Sequence, residues 1–233
     1  MNHAAIVKQF LKERTTDKGL ATGLPFITIS RQAGAGGHTL ARQIVRILEK
    51  RSSFAEAQDW DVFDQKLCAL LAAHGDVETP YEAMVAEEYQ SEIKQFVGDL
   101  LTGNARQYKL YKRIFEVVRL LTSVGKVVLV GRGGAFVSRD LPNGIHIRLV
   151  AGEKVRIKHM AKLLDVSQEE ARKAMLAQDR SRARMVQDYF MADIADPIHY
   201  HAVFNTERLP IPEVAEIVAG MVADRIKALR GKK

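Results

Sequence analysis

A chain of 233 residues, 47% hydrophobic and 27% charged, is long enough for one α/β domain with small insertions, and its balance excludes disordered and fibrous classes. The 35 Lys and Arg against 28 Asp and Glu leave a formal charge of +7, which suits an anionic partner such as a nucleotide or nucleic acid. No run approaches the ~18 consecutive apolar residues of a membrane span, and the first residues lack the apolar core of a signal peptide, so neither a membrane protein nor a secreted one is expected.

Cys68 is the single cysteine, so no disulfide forms within the chain, and a cytoplasmic location is expected. The thiol itself reads as a core group. Ile6, Val7, Phe10 and Leu11 fall at helical spacing and predict a helix over 5–13, with a polar, glycine-containing linker over 15–23. We therefore divide the chain into an N-terminal helix and linker, 1–24, and a main domain, 25–230.

The β-branched run at 26–30 predicts a strand, and the glycine turn Gly34-Ala35-Gly36-Gly37 follows it. Leu40, Ile44, Ile47 and Leu48 then recur at i, i+4, i+7 and i+8, which predicts an amphipathic helix. Residues 60–63 read as a short second strand. The helix after it, over 64–74, has Leu67, Leu70 and Leu71 on one face and Asp64 as its N-cap. An acidic, helical-looking stretch over 78–104 runs into the apolar stripe Leu110, Ile114, Val117, Val118 and Leu121, and 78–121 is read as an inserted helical layer. Strands follow at 126–130 and 145–150, then a helix over 153–164. Ser167 and Glu170 form a capping-box pattern that opens a further helix through Ala177. The cationic stretch Arg180, Arg182, Arg184 comes next, then a last strand at 201–204 and, after Pro210 and Pro212, a helix over 214–229. Alternating strands and helices, about five of each, predict a parallel sheet with helices on both faces, a three-layer α/β/α arrangement.

Glycines between a buried strand and a helix let backbone N–H groups and the helix N-terminus approach an anion closely. A tight structural turn is the competing reading, since a glycine-rich turn is a weak signal alone. Its position after the first strand of an α/β pattern favours phosphate, because ligands of open parallel sheets bind beyond the carboxyl ends of the strands.

Residues 29–40, ISRQAGAGGHTL, resemble the phosphate loop of cytidylate kinases, I-D-G-x-x-G-A-G-K-G-T-L. They look closer still to the divergent cytidylate-kinase-like family, with a loop of the form I-S-R-x-x-G-S-G-G. Phe63-Asp64 opening the second helix, Gly131-Arg132-Gly133 at a strand exit, Arg156 early in a helix and Asn205-Thr206 after the last strand agree in order. The resemblance runs from about residue 25 to 225. It implies a P-loop fold with a helical insert and a lid at 165–195, ATP and Mg²⁺ as cofactors, and a small acceptor, by resemblance a nucleoside monophosphate. It also implies nucleotide binding by Gly34, Ala35, Gly36, Gly37, His38 and Thr39. Arg132 would face the acceptor phosphate, against a surface salt bridge as the plain alternative. Asp64 would hold metal-bound water or an acceptor hydroxyl, unless it only caps its helix, and Thr39 would either meet a phosphate or bond to the backbone. Arg180, Arg182 and Arg184 resemble lid arginines, with a solvated basic face as the alternative; Arg180 and Arg184 share a helix face that Arg182 does not, so these two are read as the working pair.

The departures bear on catalysis. Arg31 stands where a Walker loop has its first glycine, Gly37 where it has lysine, and His38 where Ser, Thr or Gly follows. The lysine reaches the β- and γ-phosphates, so a substitute cation is needed. Arg31, His38 and Arg42 are nearest in sequence, and Arg31 is the first choice because it flanks the loop and keeps its charge. Gly133 and Val150 replace two family aspartates that would recognise a base or hold metal. His199 and His201 with Asp196 are too loosely spaced for zinc, and no Gly-x-Ser-x-Gly elbow appears.

Three functions compete on this sequence. The first is a kinase with Arg31, Arg132, Arg180 and Arg184 as catalytic cations. The second is a nucleotide-binding sensor or assembly protein that has lost transfer. The third, a nucleic-acid module, ranks lower because the basic residues interleave with acidic ones. The number of copies in the assembly stays open, a homodimer included.

Overall fold

The run at 26–31 forms β1 (Phe26–Arg31), and the chain continues through α1 (Gly37–Arg51), β2 (Asp61–Phe63), α2 (Ala105–Val124), β3 (Val127–Val130) and α3 (Gly134–Val137). Then come β4 (Gly144–Val150), α4 (Glu153–Leu164), α5 (Gln168–Phe190), a 3₁₀ turn (Pro197–His199), β5 (Ala202–Asn205) and α6 (Ile211–Arg230). The structure, a computed structural model, describes residues 15–16, 19–20, 23–51, 57–64 and 105–231. The helix expected over 5–13, the helix expected beyond Asp64, and the 78–104 part of the expected insert lie outside the described residues. Within the expected linker, Thr15–Thr16 pairs antiparallel with Gly19–Leu20.

The five strands pair in parallel in the order β2-β3-β1-β4-β5. Successive side chains of a strand point to opposite faces, and here both faces are apolar, as a sheet covered by helices on each side requires. Ile27, Ile29, Val128, Val130, Ile145 and Ile147 pack with Leu40 and Ile44 of α1 and Val218 and Val222 of α6. Phe26, Val127 and Leu129 pack with Ile114, Val118 and Leu121 of α2. Each aliphatic side chain buried this way contributes about 1.5–3 kcal/mol, which is how the three-layer α/β/α fold holds. Buried Arg119 on α2 pairs with Asp140, at 2.6 Å between Nη2 and Oδ2, and donates to the Val137 carbonyl at 3.2 Å, fixing the segment after β3 to α2.

Ser167 caps α5 as the pattern predicts: its Oγ accepts from the Glu170 N–H at 3.2 Å, and its own N–H donates to Glu170 at 3.0 Å. The helix does not stop near Ala177. It continues to Phe190, because no Gly or Pro interrupts it and Val186 and Phe190 pack with Ala135 and Phe136. The cationic stretch is therefore part of a long helix, and its orientation is set by that helix's phase.

A polar seam crosses the α2 face of the sheet where apolar residues would be expected. Thr28 and His146 are cross-strand partners, with Thr28 Oγ1 2.8 Å from His146 Nδ1, and the His146 backbone N–H donates to His201 Nδ1 at 3.0 Å. Burial first, then the neighbouring His201 and Arg225, push the His146 imidazole down to about 4. An unfolded histidine takes its proton near 6.5, so between those values unfolding takes up a proton and stability is lost as pH falls. We expect on the order of 3 kcal/mol from this residue, present above pH 6.5 and lost towards pH 4. Urea denaturation across that range should show a shallower pH slope for His146→Gln than for the parent; parallel slopes would reject the assignment.

Candidate nucleotide site

Three side chains shape the glycine turn from outside. The Ala33 carbonyl accepts from Arg156 Nη1 at 3.2 Å, the Gly34 carbonyl lies 2.7 Å from His159 Nδ1, and the Ala35 carbonyl accepts from the Thr206 hydroxyl at 3.2 Å. Three consecutive carbonyls are thus drawn towards α4 and the turn after β5. Gln32 fixes the approach, its N–H donating to the Leu149 carbonyl at 3.0 Å and its side-chain oxygen accepting from the Ala151 N–H at 3.1 Å. Gly34 and Gly36 have φ of +81° and +88°, and a Cβ on Gly34 would stand 2.7 Å from the Arg156 carbonyl oxygen. Both conformation and closeness therefore require glycine there.

The Leu40 N–H bonds to the Gly36 carbonyl at 3.0 Å, which makes Gly36 the capping position of α1. The N–H groups of Gly36, Gly37, His38 and Thr39 are then the four that the helix cannot satisfy internally. With the carbonyls turned away, these donors and the positive end of the helix form a site suited to phosphate oxygens.

Arg31 leaves the end of β1 and crosses this turn. A Cβ on Gly37 would meet Arg31 Cγ at 3.3 Å, and one on Gly131 would collide with the Arg31 guanidinium. Gly131, Arg132 and Gly133 take left-handed φ values of +85°, +57° and +66° in succession. For Arg132 that conformation costs roughly 1–3 kcal/mol, and it carries the side chain to the wall of a cavity of about 520 Å³. Arg31, Arg132, Arg182, Tyr111, Ser181 and Met185 are among the residues that line this cavity, whose volume suits a small molecule.

Electrostatics in the cavity are one-sided. Burial, then Arg182 and Arg132, push the Arg31 guanidinium down to about 9, opposed by Asp64 and Asp179; it stays charged at neutral pH. Burial also lowers Arg182, against the attraction of Asp179. Nearby, Arg148 is only 6% exposed, donates to Ser30 Oγ at 2.9 Å and lies 5.8 Å from the centre of the Tyr200 ring. These guanidiniums are desolvated and close together, an arrangement that an anion with several oxygens would relieve.

The residues singled out in the sequence fall in different places. Gly34, Ala35, Gly36 and Gly37 form the turn, while His38 and Thr39 are exposed in the first turn of α1. His38 Nε2 is 3.4 Å from Asp64 Oδ2, and partial burial and Arg31 lower its proton affinity against the pull of Asp64. Arg42 is exposed on α1. Arg180 and Arg184 are exposed on α5 and do not line the cavity, Arg184 lying 3.8 Å from Asp188. Arg182, the member of the stretch that shared no face with them, is the one turned inward. Thr206 and Arg156, noted in sequence only as parts of a pattern, hold the turn. Arg148, His159 and Asp179 were not singled out at all.

Among the described residues no group of three or more His, Cys, Asp and Glu gathers as a metal site. Mg²⁺ in nucleotide sites takes only one or two protein oxygens, the rest coming from phosphates and water. Asp64, beside the turn, and the Thr39 hydroxyl are oxygens of the right chemistry for that partial role. No helix among the described residues is long and apolar enough to cross a membrane.

Comparison with known proteins bears on the same segment. The solved structure of an uncharacterized protein from Eubacterium ventriosum ATCC 27560 is similar with a TM-score of 0.67 at 17% identity, covering 86% of this chain and 99% of that one. A shikimate kinase from Bacteroides thetaiotaomicron gives a TM-score of 0.47 at 10% identity, over 85% of this chain and 98% of that one. A gluconokinase from Sinorhizobium meliloti 1021 gives 0.45 at 14% identity, over 91% and 99%. No curated protein matches the sequence. Residues 26–208, from the first residue of β1 to just past β5, match the model of the cytidylate kinase-like family, and the chain belongs to that family.

Proposed function

We propose that this protein is a phosphotransferase that moves the γ-phosphoryl group of ATP, with Mg²⁺, to a small acceptor, by family resemblance a nucleoside monophosphate. The observation that carries the reading is the path of Arg31. Its side chain passes against Gly37, the position where a Walker loop has its lysine, so a side chain there would crowd the Arg31 stem. The arginine supplies the missing charge from the other end of the loop.

In this reading the N–H groups of Gly36, Gly37, His38 and Thr39 hold the donor phosphates, and Arg31 meets the transferring group. Arg132 and Arg182, which line the same cavity, receive the acceptor and neutralise charge on the equatorial oxygens. Bound Mg²⁺ would neutralise the donor phosphates, with Asp64 and Thr39 as its protein-side oxygens. The lid role belongs to α5 through Arg182 rather than through Arg180 and Arg184. A cytoplasmic enzyme would find ATP at hand.

Purified protein incubated with ATP, Mg²⁺ and a panel of nucleoside monophosphates should release ADP with at least one of them. ATP binding without turnover on any acceptor would instead favour a nucleotide-binding protein that has lost catalysis. Arg31→Ala should weaken ATP affinity at least about tenfold, as expected for loss of a charge-assisted phosphate contact. The double variant R31A/G37K should recover part of that loss, whereas G37K alone, with the arginine stem in the way, should not improve binding. Equal affinity for the parent and Arg31→Ala would rule the substitution out. Arg182→Ala should lower kcat about tenfold or more while Arg184→Ala stays within about twofold; the reverse order would return the lid role to the exposed face.

A further inference from the structure

Along α5, the buried residues Ala171, Met175 and Val186 fall on one stripe, and the two positions that complete it, 179 and 182, are an aspartate and an arginine. One oxygen of Asp179, Oδ1, accepts from the Ala33 N–H at 2.7 Å and from Arg182 Nη1 at 3.2 Å. The other, Oδ2, accepts from Arg156 Nη1 at 2.6 Å, and that same nitrogen holds the Ala33 carbonyl. Arg182 is steadied from its other side by the Gln178 side chain, at 3.0 Å. Asp179 is only 25% exposed in its side chain and Arg156 only 8%. A stabilising ion pair between α4 and α5 would need Arg156 and Asp179 alone. The bond to the Ala33 peptide, inside the turn that cradles phosphate, is an addition such a pair does not need.

We propose that Asp179 is a positioning residue for phosphoryl transfer, tying the orientation of Arg182 in the cavity to the conformation of the glycine turn. The inference rests on the phosphotransfer reading above. The Ala33 peptide and the Arg182 guanidinium bind the same carboxylate oxygen, so a shift of the turn moves the atom that holds the arginine. Donor phosphate that settles the turn therefore also sets Arg182 for the acceptor. The carboxylate takes no part in bond making.

A double-mutant cycle tests this, using the full chain, ATP, Mg²⁺ and whichever nucleoside monophosphate the parent phosphorylates. Asp179→Asn keeps an oxygen for the Ala33 N–H but loses the charge that holds Arg182. Asp179→Glu keeps the charge near Arg156, and so the stability, but moves the oxygens away from Ala33. Both variants should lower kcat about tenfold with KM for ATP changed less than about threefold, and the pair D179N/R182A should be no slower than Arg182→Ala alone. Multiplied losses in the double variant would overturn the proposal, as would a loss confined to KM, or parent-like kcat in a folded Asp179→Glu. Should the parent transfer phosphate to no acceptor, the phosphotransfer reading fails by itself. The parent, D179N, R182A and D179N/R182A are then compared by ATP affinity, where coupled losses support the link between Asp179 and Arg182 and independent losses reject it.

Discussion

The peptide units at Ala33, Gly34 and Ala35 are held from outside by Arg156, His159 and Thr206, and the rest of the site follows from that constraint. With their carbonyls committed to one side, and the Ala33 and Ala35 N–H groups bonded to Asp179 and to the Gln32 carbonyl, the turn leads into the unsatisfied donors of α1 from Gly36 onward. The approach is close enough that a Cβ would stand 2.7 Å from the Arg156 carbonyl oxygen at Gly34 and 2.9 Å from Ile211 Cδ1 at Gly36. The turn's shape is therefore set by α4, by the segment after β5 and by the start of α6, elements far away in sequence. The parallel sheet makes this possible, because β1 and β4 are neighbours and both deliver their following loops to the same edge.

The charges lining the cavity are guanidinium groups rather than an ammonium. Arg31, Arg132 and Arg182 reach the cavity from β1, from the turn after β3 and from α5. Burial and the repulsion of neighbouring guanidiniums lower Arg31 and Arg182. Asp64 and Asp179 offset this only in part. Arginine tolerates such surroundings better than lysine, because its charge is spread over a planar fork and is weakly hydrated. The polar seam on the sheet beneath, Thr28 with His146 and Ser30 with Arg148, spends buried positions on hydrogen-bonded groups where β-branched residues would have packed.

Much of the architecture was legible in the sequence. The strands at 26–31, 127–130, 144–150 and 202–205 and the helix over 153–164 stand within a residue or two of their predicted bounds, because apolar periodicity and capping are local signals. The end of α5 was not local. Ala177 looked like a helix end only because the polar stretch after it broke the apolar pattern, whereas Val186 and Phe190 find their partners on α3. The same error of phase hid Arg182. Read as a charge among charges, it shared no face with Arg180 and Arg184; read on the stripe of Ala171, Met175 and Val186, it points inward.

The sequence by itself determined the sheet, the glycine turn and the family resemblance, because each rests on residues adjacent in the chain or repeated at a fixed period. It also carries Gly37 where a Walker loop has lysine, and made Arg31 the first choice among Arg31, His38 and Arg42 for a substitute cation. Only the tertiary structure decided that the Arg31 stem runs across Gly37, that Arg182 rather than its neighbours lines the cavity, and that Asp179 bonds to the turn from 146 residues away. These are matters of which surfaces meet once the helices pack on the sheet, and no periodicity within one segment carries that information.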